Sequence, residues 1–329
     1  MTILWMDGFD LYSVANDLNL NYGGSQSPNL NTSAGRFGGG AWQGGGYGNS
    51  NYLMKLLGAS YTDLWVSFAG NNINNTIAVW GAGSTNNNGV EIQLLYNTTT
   101  GQIQLVTGSG RTIVSGALPS TNGWHWYEVH LVYSSTAGVA EIWVDNVQVA
   151  SGTGLNTIDN AGLSGYLSVR LQGNGGYMDD WFIYTPGVRL GDSRIETVRP
   201  ASDAGPNNGT PLTGTSHYAA VNELQISTSN YITLPNTSGD KEVFTVGAIS
   251  STPVSVWAVK IDVYADKTDA GSFLLDPLII SGLTEIDGAA QQLTTGYGVP
   301  QSMFVTDPAT SAAWTYAGVN AMKIGVKVP

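Results

Sequence analysis

The chain of 329 residues sets 24 acidic side chains against 12 basic ones, a formal charge of −12, and is 42% hydrophobic but only 11% charged. Such a surface repels phosphate backbones and has no basic cluster to offset the repulsion, which argues against nucleic acid as a partner. The lack of Cys excludes disulfides, zinc thiolate sites and a cysteine nucleophile.

The length suits two ordinary domains, and the 43 Gly, 16 Tyr and 10 Trp fit short strands joined by tight turns. The opening MTILWMDGFD carries Asp7 and Asp10 where a secretory leader wants positive charge, so it reads as folded structure. No window approaches about 18 consecutive apolar residues, so membrane insertion is not expected. From Thr2 to about Arg199, apolar or aromatic runs alternate with turn-rich segments. The glycine-rich stretch from Tyr22 to Asn51 reads as a long loop over a sheet edge, whereas Ala59 to Phe68 and Ile77 to Trp80 read as strands.

The clearest local pattern is WHWYEVHLVYSSTAGVAEIWVDNVQVA, from Trp124 to Ala150. Tyr127, Val129, Leu131 and Tyr133 share one face of a strand, and Trp126, Glu128 and His130 share the other. The step Val144-Asp145-Asn146-Val147 suits a two-residue hairpin. Pairing Val144 with Val147 then sets Ile142 opposite Val149 and sends Trp143 and Gln148 to the opposite face. Gly165 to Leu171 and Tyr177 to Tyr184 are further strands. Ala201 to Ser216, with Pro206 and Pro211, reads as an interdomain linker or long loop. Beyond it, Lys241 to Ile249, Val254 to Tyr264 and Val319 to Val328 are expected strands, while Glu223 to Ile226 and Ala289 to Leu293 are short helices or loops.

Trp124-His125-Trp126-Tyr127-Glu128-Val129 followed by Ala140-Glu141-Ile142-Trp143-Val144-Asp145-Asn146 resembles a strand pair of the concanavalin A-like lectin/glucanase, or laminin-G-like, jelly-roll sandwich. Asp179-Asp180-Trp181-Phe182-Ile183-Tyr184 resembles that sandwich's closing strand. Three further segments together resemble bacteriophage virion proteins of the tail, fibre or head-appendage type. They are Leu4-Trp5-Met6-Asp7-Gly8-Phe9-Asp10, Arg189-Leu190-Gly191-Asp192-Ser193-Arg194-Ile195-Glu196, and the run from Trp314 to Lys327. The resemblance implies an all-β chain: a concanavalin A-like jelly-roll sandwich over residues 1–200, then a smaller β-rich domain over 201–329 for assembly contacts.

It implies no catalytic residue. Glucanases of this fold place their acids as Glu-x-Asp-x-x-Glu or a close variant along one strand, and no such motif occurs here. Glu141 and Asp145 share strand parity but lie about 13 Å apart along a strand at ~3.3 Å per residue, against the ~5 Å that a retaining pair needs. The three His, His125, His130 and His217, form no metal pattern and read as packing residues. Laminin-G-like folds often hold calcium at a sheet rim, which makes Asn174, Asp179 and Asp180 candidate ligands, with backbone-binding carboxylates as the plainer reading. Trp126, Glu141, Trp143 and Gln148, on the face away from the expected core, are candidate contacts for a glycan or a partner.

The expectation is therefore a non-enzymatic structural component of a bacteriophage particle, located in the virion, with copies of itself and other virion proteins as partners. A carbohydrate-binding receptor module for host-surface glycan is the alternative, and a glycan-degrading enzyme the weaker one.

Overall fold

The computed structural model describes all residues except 24–28, 45–51, 82–88, 119, 160–162 and 174. The chain divides into two compact units, Met1–Ile195 and Glu196–Pro329.

The first unit contains, in chain order, β1 (Ile3–Asp7), β2 (Asn29–Asn31), β3 (Ala41–Gln43), β4 (Leu53–Tyr61), β5 (Asp63–Asn71), β6 (Asn75–Gly81), β7 (Val90–Asn97), β8 (Gln102–Thr107), β9 (Thr112–Ala117), β10 (Trp124–Val132), β11 (Gly138–Val144), β12 (Val147–Leu155), β13 (Tyr166–Leu171) and β14 (Tyr177–Tyr184). They form two antiparallel sheets, which make the jelly-roll sandwich. One is eight-stranded in the order β12-β11-β10-β5-β14-β3-β2, with β1 also on β14; the other is six-stranded, β4-β13-β6-β7-β8-β9.

The alternation read in β10 is what builds the core. Tyr127, Val129 and Leu131 are buried and register with Phe68, Val66 and Leu64 of β5, and Phe68 stacks on Tyr127 at 5.3 Å. Each such aliphatic side chain contributes about 1.5–3 kcal/mol by leaving water. At the β9 edge the sheets approach so closely that only glycine fits: a Cβ on Gly116 would lie 1.9 Å from the Val149 carbonyl oxygen.

The β11–β12 turn is the one the sequence predicts. Asp145 and Asn146 both take positive φ, 50° and 67°, as a type I′ turn requires. Val144 pairs with Val147 and Trp143 with Gln148, but a bulge then sets Ile142 opposite Ala150 in place of Val149. The expectation that Ile142, Val144, Val147 and Val149 share one buried face is therefore corrected: Val144 is 5% exposed and Val147 62%. The extra residue in β12 turns Ala150, in place of Val149, toward Ile142, and nothing in the local pattern announces it; Val147 lies on the turn side of the bulge, and its exposure has no such cause.

The stretch from Tyr22 to Asn51 is also more than a loop. Its described part supplies β2 and β3, and β3 extends the eight-stranded sheet through Tyr177 and Met178 of β14; residues 24–28 and 45–51 lie outside the described residues.

The second unit contains β15 (Pro200–Asn207), β16 (Thr210–Pro211), β17 (Ile232–Thr233), β18 (Lys241–Val246), β19 (Val259–Asp262), β20 (Leu274–Ser281), β21 (Thr284–Asp287), β22 (Gln291–Gln292), β23 (Gln301–Phe304), helix α1 (Tyr316–Ala321) and β24 (Lys323–Lys327). Its main sheet runs β15-β18-β24-β20-β21. Val246, Val259, Ile261, Ile279, Phe304, Trp314, Val319 and Met322 form its core. Two expectations are corrected here. Ala201 to Ser216 is no linker, since β15 pairs with β18 as an edge strand, a position that tolerates Pro200 and Pro206. Val319 to Val328 begins as helix, because the Thr315 side chain accepts the Gly318 amide and starts α1 before β24 begins.

Candidate functional site

The outward face of the eight-stranded sheet carries both the candidate residues and the motifs. Parity and register place Trp65 and Ser67 of β5, Trp126, Glu128 and His130 of β10, Glu141 and Trp143 of β11 and Phe182 and Tyr184 of β14 on that face. Half of it is sealed and half is open.

The seal is the segment 189–195. The Arg189 guanidinium pairs with Glu128, which also accepts the Gly191 amide at 3.0 Å. Asp192 meets Arg36 at 2.6 Å, and the Ser193 carbonyl accepts from Arg36 at 3.2 Å. The Ile195 amide donates to Asp180 at 2.6 Å, while the Ile195 side chain lies where a Cβ on Gly8 would be, at 3.0 Å. Three of the sequence motifs thus interlock as a clasp. The opening motif adds a buried node of its own: Asp7 accepts from the Phe9 amide at 2.8 Å, the Tyr12 hydroxyl at 2.5 Å and the Tyr22 hydroxyl at 2.6 Å.

The clasp also holds the calcium candidates Asp179 and Asp180. Asp179 accepts the amides of Arg36 at 2.8 Å and Asp180 at 2.7 Å, and the Arg36 guanidinium lies 3.7 Å from Asp180. Amide donors thus take three of the four carboxylate oxygens, the backbone-binding arrangement that is the plainer reading of the pair, while Asp180 Oδ2 makes no hydrogen bond. Among the described residues, no group of three or more acidic or histidine side chains gathers to hold a metal; Asn174 lies outside them. Burial raises both carboxyls above the usual carboxylate range. The Asp180 charge adds to the rise at Asp179, while the Ile195 amide and Arg36 pull Asp180 back down. Glu128 is likewise pushed up by burial and drawn down by Arg189.

Trp126 is corrected as a contact residue. It lies on the expected face but is 0% exposed, with Phe182 edge-on at 6.1 Å and the Arg36 guanidinium 5.6 Å over its ring.

The open half holds Gln148, Glu141, His130 and Asp63 in a row. Gln148 donates to Glu141 at 3.3 Å. The second Glu141 oxygen approaches His130 Nδ1 at 3.3 Å without hydrogen-bond alignment, and His130 Nε2 meets Asp63 at 2.8 Å. His130 lies flat on Trp65, centroids 4.5 Å apart and planes 2° off parallel. Trp143, half-buried beside Gln148, carries the Arg189 guanidinium 4.3 Å over its ring. The structure therefore brings Glu141, Trp143 and Gln148 together as expected. It adds His130, read from sequence as a packing residue, and Asp63, Trp65 and Arg189, which sequence reasoning did not connect. The available signal was strand parity, which puts His130 on the face of Glu128.

No family model matches the chain, and no curated protein matches it. Among solved structures, it is similar to a protein of unknown function with galectin-like fold from Bacillus subtilis, at 8% identity and TM-score 0.37 over 56% of this chain and 96% of that one. Domain 4 of an extracellular arabinanase from Geobacillus stearothermophilus, in complex with arabinotriose, gives 16% identity and TM-score 0.36 over 56% and 92%. Lectin II from Ulex europaeus gives 14% identity and TM-score 0.33 over 55% and 98%.

Proposed function

We propose that the first unit is a non-enzymatic carbohydrate-binding sandwich whose ligand lies along the row Gln148, Glu141, His130 and Asp63. The observation that carries this reading is the row itself: planar polar side chains already oriented by one another, backed by Trp65 and edged by Trp143, on the only half of the face that the clasp leaves open among the described residues. Planar side chains present paired donors and acceptors to sugar hydroxyls, and preorganisation lowers the entropy cost of binding. Cleavage is not part of the proposal. Of the carboxyls in register with this face that burial holds up, Glu128 is sealed beneath Arg189 and Gly191, and Asp179 is buried and holds the Arg36 amide. In the phage setting that the sequence motifs imply, the ligand is a host-surface glycan and the protein is a virion component.

The test is a glycan array with the full chain, followed by titration of the best ligand. Gln148→Ala and Glu141→Ala are each expected to weaken binding about tenfold with the melting temperature kept. Absence of any glycan binding overturns the reading, and release of reducing sugar that is lost in Glu141→Gln replaces it with an enzyme.

A second reading, a structural subunit joined by protein contacts, is favoured by two fully exposed apolar residues of the second unit, Val254 and Leu283. Under it, the protein is retained stoichiometrically in gradient-purified particles, and Leu283→Asp releases it.

A further inference from the structure

His130 of β10 stands between two carboxylates from the strands on either side of it. Nε2 meets an Asp63 oxygen of β5 at 2.8 Å, as an aligned hydrogen bond. Nδ1 faces an oxygen of Glu141, on β11, at 3.3 Å, but it is buried and has no hydrogen-bond partner. Beneath the ring β5 presents Trp65, in parallel contact at 4.5 Å. The other ionisable group of β10 on this face, Glu128, is already held by Arg189 and the Gly191 amide, and from β12 the row receives the neutral Gln148, bonded to the other Glu141 oxygen. The charged groups that face His130 are therefore Asp63 and Glu141.

Ionised carboxylates only accept hydrogen bonds, and a neutral imidazole has a single N–H to give. With that proton on Nε2, where Asp63 accepts it, the Nδ1 lone pair turns toward Glu141, acceptor against acceptor. A second proton, on Nδ1, supplies the missing donor: the imidazolium can bond both carboxylates at once and lies with its charge on the face of Trp65. Glu141 Oε2 is then drawn to the ring with its charge offset, which makes it a weaker acceptor for anything arriving from solvent. Over a neutral ring the same oxygen keeps its charge, and the Glu141 side chain, 25% exposed, can offer it outward.

We infer that His130 is the proton switch of the row: the imidazolium claims Glu141 and closes the site, and the neutral ring yields Glu141 Oε2 to a ligand hydroxyl. Histidine is the side chain whose charge ordinarily changes between about pH 5 and pH 8. Affinity accordingly rises with pH over that interval, and by linkage a bound ligand drives a proton off His130. The inference rests on the reading of the row as the ligand site and adds its regulation.

The experiment uses the full chain with isotope-labelled histidine. Without ligand, at about pH 5, NMR is expected to show a low-field Nδ1–H resonance of His130, protected from exchange because that nitrogen is buried, and absent from Glu141→Ala. His125→Gln and His217→Gln assign it. A native chain without the resonance, or a Glu141→Ala chain that keeps it, overturns the inference before any sugar is added. With the tightest-binding glycan of the array, calorimetry is expected to give an affinity about tenfold weaker at about pH 5 than at about pH 8. Adding that glycan at about pH 6 is expected to move the His130 ring signals toward the neutral form and to leave those of His125 and His217 in place. Equal affinity at both pH values, or an unmoved His130, overturns the regulation and leaves the glycan reading standing. A chain that binds no glycan at either pH fails that reading, and the regulation with it.

Discussion

Trp126 and Trp143 leave the sheet on the same side, yet only Trp143 keeps any surface. The sequence pattern tells the side of a strand; it does not tell what a segment 60 residues later lays over it. That is why Glu141, Trp143 and Gln148 were legible as neighbours while the sealing of Trp126 was not. Two predictions belong at this scale. Val144→Asp puts a carboxylate where the side chain is 5% exposed and is expected to cost about 3 kcal/mol or more in chemical denaturation. Gln148→Asp, at an exposed position, is expected to cost less than about 1 kcal/mol. The second concerns pH. Asp179 and Asp180 have values raised by burial in the folded state, so the folded chain binds more protons than the unfolded one above the ordinary carboxylate range. Their stabilisation is full below about pH 4 and is lost as the pH rises through the raised values. The melting temperature is therefore expected to fall between about pH 5 and pH 8, and Asp179→Asn is expected to flatten that fall, read by scanning calorimetry across the range.

At the scale of elements, what could be read locally was read: the β10 alternation, the I′ turn at Asp145-Asn146, and β13 and β14. What escaped depends on distant pairing. The bulge beside Trp143 changes which residues face the core without changing composition, and the strand character of β15 comes from β18, which lies across a turn-rich stretch. A run containing Pro206 and several Gly looks like a loop until an edge is available to accept it. The segment 189–195 is the clearest instance. Its Leu-Gly-Asp core has no periodicity, and its role appears only when Glu128, Arg36 and Asp180 are in place to receive it. Gly191 takes a φ of 67°, so Gly191→Val is expected to destabilise by about 1–2 kcal/mol. Hydrogen exchange should show faster exchange at the amides of residues 191 and 195, with the β5–β10 amides unchanged; uniform loss of protection across the sheet would contradict the clasp.

At the scale of the whole molecule, the two units each carry their own apolar core, one between the sheets of the sandwich and one around Ile279 and Trp314. Calorimetry is expected to resolve two transitions, of which Val144→Asp lowers only one; a single transition moved as a whole would show that the units melt together. The low charge count bounded partners from the start, and the all-β class followed from turn and aromatic content. Composition set the class, whereas the sealed and open halves of one face came from contacts between residues far apart in the chain.

The edges of the second unit's sheet have a consequence for storage and concentration. β15 closes one side with Pro200 and Pro206, which offer no amide to an incoming strand, and β21 closes the other as a four-residue strand bearing Glu285 and Asp287. Neither margin is a good template for fibrils, so crowding this acidic protein should yield discrete particles or clear solutions in preference to amyloid.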